Sequence, residues 1–346
     1  MMENNTRKKR LSRRERKERK KRHRNDPDEP NSDLPEDKST PVKGDHCTGE
    51  LVGDLNTPDA SYVPTKIPSL VELQKENKSK SLGKWFPNAV VIKSKLPQVK
   101  HAKASLLLFY QYVEPAWSES TVQQLICFLG RIGSTRVLGG RIRVAREGVN
   151  ATVSSCDDEN SSASTSLRHF ARDLRSFDKC FLQTDFKFIE DLSSDRHFTN
   201  FKIFPVQELV FYGLGQESAP LSRGGVHLDP KDFHRKLEEK DTVVVDVRNH
   251  YEAAIGRFDG QEKDCKGAKY VDPMMRKSTD FATWLDKPET QSKLEGKEVL
   301  LYCTGGVRCE RASAFLNTKM GSTVKGVYQL HGGIERYLKA YPDGGH

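Results

Sequence analysis

The stretch from Val299 to Leu316, VLLYCTGGVRCERASAFL, constrains the fold of this chain more than any other. An apolar run stops at a cysteine, a Thr-Gly-Gly turn follows, and apolar residues Ala312, Phe315 and Leu316 then recur at helical spacing. That succession predicts a strand, a tight turn and a helix, the unit from which parallel sheets are built because parallel strands need crossover connections. TVVVDV (242–247) is β-branched with little alternation and predicts a second buried parallel strand. In DPKDFHRKLEEK, Asp229 stands as N-cap and Pro230 at the first helical position. GAKYVD, DFATWLD, VKGVYQL and GGIERYLKAY continue the alternation, so residues 216–346 read as a small α/β domain with a parallel sheet.

The preceding segment has another rhythm. ASLLLFYQYV (104–113) is β-rich, and the helix after it places Val122, Leu125, Ile126 and Leu129 on one face behind Ser118 or Ser120 as cap. RVLGGRIRVA and GVNATVSS predict a hairpin around REG; SSASTSLRHFARDL is a second helix with Leu167, Phe170 and Leu174 on one face, and DFKFIEDL a further strand. The order β-α-β-β-α-β is the ferredoxin-like (acylphosphatase-like) arrangement, assigned here to residues 96–215, with one more β stretch over 200–213 leading out of it. On the first strand, Leu108, Tyr110 and Tyr112 share one face and Leu107, Phe109 and Gln111 the other, and one of the two faces is expected to be core.

Residues 1–95 are expected to be a disordered basic arm and linker. Residues 7–24 hold thirteen Lys or Arg against two Glu; with Glu3, residues 1–24 carry +10 of a net +9, which leaves the other 322 residues at −1. The body is therefore almost neutral, and the arm is the stronger electrostatic candidate, suited to RNA phosphates or to a nuclear localisation signal. Residues 25–95, with runs such as RNDPDEPNSDLPEDKSTP, offer too little apolar surface to offset ordering entropy, apart from a short helix expected over 69–77. No apolar leader and no run of 18 apolar residues occurs, so secretion and membrane spanning are not expected, and the Lys-rich, Glu-containing arm is unlike a mitochondrial presequence. The seven cysteines (47, 127, 156, 180, 265, 303, 309) form no CxxC pair, as in reduced proteins of the cytoplasm or nucleus. The histidines form no HxH or HExxH pattern, so no metal site and no cofactor are evident. Oligomeric state is not encoded in any of these patterns.

Cys303 falls where strand carboxyl ends and helix amino ends meet, the usual place for ligands in an open parallel sheet. If Thr304, Gly305, Gly306, Val307 and Arg308 curl around it, their backbone amides form an anion cradle, the glycines permit the turn, and Arg308 adds charge. Such surroundings lower a thiol and make a nucleophile. The alternative is a structural cysteine packed at a strand end. Four residues separate Cys303 from Arg308, whereas cysteine-dependent phosphatases need five to enclose a phosphate; the shorter loop suits a smaller group on sulfur, such as a persulfide.

Strand, CTGGVR and helix, preceded by VVVDVRNHYEAAIGRFDG (243–260) and followed by VYQLHGGIERYL (327–338), resemble a rhodanese domain. YCTGGVRCERASAFL together with REGVNATVS in the preceding domain is narrower, and is similar to the tRNA uridine hydroxylase family, rhodanese-like proteins that use oxygen to convert wobble uridine 34 to 5-hydroxyuridine. The resemblance covers about residues 100–346. It implies Cys303 as the active-site cysteine, Thr304 to Arg308 as its loop, Asp246 and Arg248 as the DxR that supports the loop, and Glu252 as the following acid. It also implies molecular oxygen as co-substrate and the anticodon region of tRNA as partner. Arg257 stands where rhodanese domains commonly carry His, residues 261–275 look rearranged, and relatives often continue beyond the YPDGGH at which this chain stops.

Other readings of the same residues stay open. Thiolate activation does not decide between hydroxylation and persulfide sulfurtransfer, and a non-enzymatic RNA-binding scaffold with a vestigial domain is a third reading. Cys309 would be either a resolving thiol for an oxidised Cys303 or a small buried hydrophobe. Cys265 reads as a loop thiol and His331 as part of a glycine-defined turn. Arg136, Arg141, Arg143 and Arg146 form a cationic cluster that either tracks phosphates or is simply solvated.

Overall fold

The computed structural model describes residues 55–69, 72, 89–93, 102–136, 138–215, 217–258 and 267–344. The basic arm, Cys47, Cys265 and most of the helix expected over 69–77 lie outside the described residues.

A first sheet contains β1 (Val90–Lys93), β2 (Lys103–Tyr112), β3 (Gly139–Ala145), β4 (Gly148–Cys156), β5 (Lys187–Ser193) and β6 (Asn200–Pro205), in the order β1-β6-β3-β4-β2-β5. The pairs β5-β2, β2-β4 and β4-β3 are antiparallel, β6 joins β3 in parallel, and β1 closes the edge antiparallel to β6. Helices α1 (Glu119–Thr135) and α2 (Ala163–Phe177) cover one face, and their predicted apolar stripes are buried with Leu107, Phe109, Ile142 and Val153. Ser118, rather than Ser120, caps α1 by accepting the Thr121 amide at 3.1 Å; Ser162 does the same for α2 with Thr165.

Two expectations are corrected here. The disorder assigned to residues 1–95 does not extend to 55–69 and 89–93, because these segments have anchors in the first core: Leu55 is buried in it, and Val90 and Ile92 pack against it. Tyr62 and Thr65 also donate hydrogen bonds to the fully buried Asp173, at 2.9 Å each. The β stretch expected over 200–213 stops at Pro205, which has no amide for a ladder. Val210 and Tyr212 beyond it enter the core of the second half instead.

That second half is a sheet of β7 (Val226–Leu228), β8 (Thr242–Asp246), β9 (Lys269–Val271), β10 (Glu298–Tyr302) and β11 (Gly326–Leu330), ordered β7-β11-β10-β8-β9 and parallel throughout. Around it run α3 (Pro230–Leu237), α4 (His250–Ala253), α5 (Asp280–Leu285), α6 (Pro288–Leu294), α7 (Val307–Met320) and α8 (Gly333–Ala340). Asp229 caps α3 through the amides of Lys231 and Asp232, at 2.8 and 2.9 Å. The central strands are apolar because both faces are covered, one by the cluster of Val243, Leu301 and Phe315 and the other by that of Phe233, Leu300 and Tyr337.

The halves meet across the face of the first sheet that its helices leave open. Tyr110 is buried within the second core and Tyr112 packs against it, so both faces of β2 are covered, not one. Among the described residues, no helix is long and apolar enough to cross a membrane.

Candidate active site

Cys303 follows the last residue of β10, the central strand, and is 0% exposed. The Val247 amide donates to the Tyr302 carbonyl at 3.0 Å, extending the β8-β10 pairing to the residue before it. Gly306, at φ +107°, ends the turn and starts α7, a conformation open to glycine and unfavourable for other residues. The turn is gripped from outside by the first turn of α8: the amides of Ile334 and Glu335 donate to the carbonyls of Cys303 and Thr304, at 3.0 Å each. Gly333 (φ +63°) lies so close that a Cβ on it would stand 2.1 Å from the Gly305 Cα. The two glycine pairs, 305–306 and 332–333, are therefore one packed unit.

Arg308, expected from the sequence to add charge beside the sulfur, is engaged with a carboxylate. Its guanidinium grips Glu252 at 2.7 and 2.9 Å and reaches the Thr304 hydroxyl at 3.2 Å, while that hydroxyl donates to Glu252 at 2.9 Å. Burial by itself would raise the Glu252 carboxyl; the hydrogen bonds and charge of Arg308, with Thr304 and the Asn249 amide, bring it below its ordinary range. The Arg308 carbonyl in turn accepts the Tyr212 hydroxyl at 2.8 Å. Thr304, Arg308 and Glu252 thus act as a charge-balanced brace on the loop.

Asp246 and Arg248 brace it from behind. Asp246, fully buried, accepts the Arg248 amide and guanidinium at 2.7 to 3.2 Å and the Tyr302 hydroxyl at 2.6 Å. Arg248 continues to the Gly256 carbonyl at 2.6 Å. The pair therefore acts on Cys303 through the residue next to it. Arg257 lies over the Tyr270 ring at 5.1 Å, and residues 261–266 of the rearranged stretch are outside the described residues.

Cys309 is also fully buried, in the same apolar cluster as Cys303. Burial first, then the neighbouring Cys303, pushes the Cys309 thiol far above its ordinary value. His331 donates its amide to Leu228 at 2.8 Å, consistent with a role in the turn, and its ring meets Arg336 at 3.1 Å.

The arginine cluster is divided. Arg136 is drawn into the first half, 2.8 Å from Asp173 and 2.9 Å from the Val63 carbonyl. Arg146 holds the Trp117 carbonyl at 3.0 Å. Arg141, exposed, and Arg143, half-buried, lie on the sheet face opposite its helices, in register with Thr152 and Asn150 on one side and Lys202 and Phe204 on the other.

Glu147, Lys187 and Arg311 were not singled out from sequence. Glu147, in the turn between β3 and β4, accepts the Leu209 amide at 2.7 Å and forms a buried ion pair with Arg311 of α7; Arg311 also donates to the Ala219 carbonyl at 2.5 Å. Arg336 meets Asp185 at 2.6 Å. Beside Asp185, a cavity of about 10 Å³ among Leu108, Tyr110, Asn150, Thr152 and Lys187 has room for one water. The only signal for Glu147 and Arg311 was their presence in the two quoted strings, REGVN and CERAS.

The rhodanese-like domain family matches residues 229–340. Over 257 residues the chain is 34% identical to rhodanese-like domain-containing protein 6 of Arabidopsis thaliana, covering 69% of this chain and 41% of that one. It is 35% identical over 232 residues to a protein named tRNA uridine(34) hydroxylase of Oceanobacillus iheyensis, covering 67% of this chain and 63% of the relative. A protein of the same name from Lactococcus lactis is 33% identical over 234 residues, with 68% and 65% covered. The chain spans less than two thirds of the length of these relatives.

Proposed function

Since this chain belongs to the rhodanese-like proteins and is related over two thirds of its length to tRNA uridine(34) hydroxylases, we propose that it hydroxylates wobble uridine 34 of tRNA at carbon 5, with Cys303 as the reactive sulfur. The observation that carries the reading is the placement of Cys303 at the carboxyl end of the central strand, in a glycine turn whose Thr304 and Arg308 are braced by Glu252. The co-substrate is molecular oxygen.

The four strands β2 to β5 and helices α1 and α2 have the connectivity of a ferredoxin-like domain, and this part of the chain holds the anticodon region. Arg141, Arg143 and Lys202, neighbours on its open face, supply cations for the phosphates. The basic arm adds a salt-sensitive contribution to affinity. Mass spectrometry of tRNA nucleosides tests the reading: 5-hydroxyuridine forms with wild type and not with Cys303→Ser. Equal product from both removes Cys303 from the chemistry, and no product from either removes the hydroxylase.

The rhodanese-like domain also suits a persulfide on Cys303 and hence sulfurtransfer. That reading requires Cys303-dependent formation of thiocyanate from thiosulfate and cyanide; lack of turnover at high enzyme concentration rejects it.

A further inference from the structure

On β6, Phe201 and Ile203 are buried in the core beneath the helices, so Lys202 and Phe204 alternate onto the opposite face of the first sheet. The ladder extends that face in two rows. Lys202 pairs with Val91 on one side and Arg141 on the other, and Arg141 with Thr152; Phe204 pairs with Arg143, and Arg143 with Asn150. Lys93, exposed, stands opposite Asn200 on the same face. Four cations are thus gathered here, and these rows contain no carboxylate. The second half of the chain covers the face at Tyr110, beyond Asn150, while Val91 and Arg141 are exposed.

Phe204 does not fit a purely electrostatic surface. It is half-buried, yet it belongs to none of the three apolar clusters formed by the described residues. A phenyl ring directly across the ladder from one arginine, with Lys202 two residues before it on the same strand, suits single-stranded RNA. There the cations track the backbone and the ring offers its π-face to an unpaired base. Duplex RNA or an acidic protein would use the cations and leave the ring idle, because a paired base has no free face to stack. We propose that Phe204 is a base-stacking residue: an unpaired base of the anticodon loop lies on its ring, with Arg143 beside it and Arg141 and Lys202 against the flanking phosphates. The inference rests on tRNA being the substrate, and it adds a contact that does not depend on charge.

The test is fluorescence anisotropy of the full chain with a labelled tRNA anticodon stem-loop over a salt series, beside a fully paired RNA duplex of the same length. Phe204→Ala raises Kd for the stem-loop by about 5- to 150-fold, the range for one base on one aromatic ring. It leaves the slope of log affinity against log salt unchanged, because no phosphate loses its cation. Phe204→Tyr binds as wild type does, and the duplex Kd moves in neither variant. In Phe204→Trp the stem-loop quenches the new indole beyond the quench of the wild-type tryptophans. An unchanged Kd in Phe204→Ala overturns the proposal, as does a loss shared by stem-loop and duplex or a wild-type chain that does not bind the stem-loop. Polyglutamate that displaces the label as well as unlabelled stem-loop does assigns the face to an acidic protein and also overturns it. If Phe204→Ala does not fold, the quench in Phe204→Trp decides alone. Binding is read without turnover, so absence of 5-hydroxyuridine leaves this inference standing, while normal product with an unchanged Kd in Phe204→Ala ends it and spares the hydroxylase reading.

Discussion

Glu147, in the hairpin turn of the first sheet, and Arg311, in the helix that follows the cysteine loop, form an ion pair in which each side chain is only 2% exposed. They are 164 positions apart and join the two sequence strings that mark the chain, REGVN and CTGGVRCERAS. The pair ties helix α7, which begins at the loop, to the hairpin of the first sheet. Removing one partner leaves a buried charge uncompensated, so Glu147→Gln or Arg311→Met lowers stability by about 3 to 5 kcal/mol, while replacing both by apolar residues recovers most of the loss. Urea unfolding of the two single variants and the double variant checks this; additive losses count against it.

Gly333 offers a sharper test of the loop. Its left-handed backbone and the 2.1 Å approach of a Cβ to Gly305 mean that Gly333→Ala moves backbone, not a yielding side chain. The variant is expected to lose about 1 to 3 kcal/mol and to slow any reaction of Cys303, while Gly296→Ala, also at positive φ but with open space around its Cβ, is expected to leave that reaction alone. Thermal melts alongside thiol reactivity separate the two effects.

These relationships show what the sequence could and could not carry. The strand-turn-helix around Cys303, the caps at Ser118 and Asp229, and the apolar stripes of α1 and α2 were legible because each is set by residues within a few positions of one another. Arg308 was legible beside the cysteine because it is near in sequence, but its partner Glu252, 56 positions away, was not. Lys187 reads as an ordinary strand lysine until Gly332 folds over it, 145 positions on. The docking of Leu55 and Tyr62 was hidden for the same reason: a short apolar segment in a polar run acquires its partners only from the finished first core.

The Glu252 brace has a pH signature. Its carboxyl is lower in the folded chain than its ordinary 4.5, so the stabilisation is complete above that pH and is lost as pH falls through the lower folded value. Glu252→Gln removes this contribution, so the gap in stability between wild type and the variant narrows on acidification below about 4.5. Denaturation midpoints measured across that range check the sign; a gap that widens toward acid would falsify the brace as drawn.

The divided arginine cluster predicts two different phenotypes from similar substitutions. Arg141→Glu and Arg143→Glu act on the open face and should weaken tRNA binding while reducing the slope of log affinity against log salt, by roughly 0.7 to 0.9 for each phosphate left without its cation. Arg136→Met should instead destabilise the first half by about 3 kcal/mol, because it strips Asp173 of the guanidinium that stands 2.8 Å away while Tyr62 and Thr65 still hold that carboxylate in place. Fluorescence anisotropy of labelled tRNA over a salt series, paired with urea unfolding of each variant, separates the two. An unchanged salt slope for both face variants removes Arg141 and Arg143 from the RNA path. A normal melt for Arg136→Met with an altered slope would return Arg136 to it.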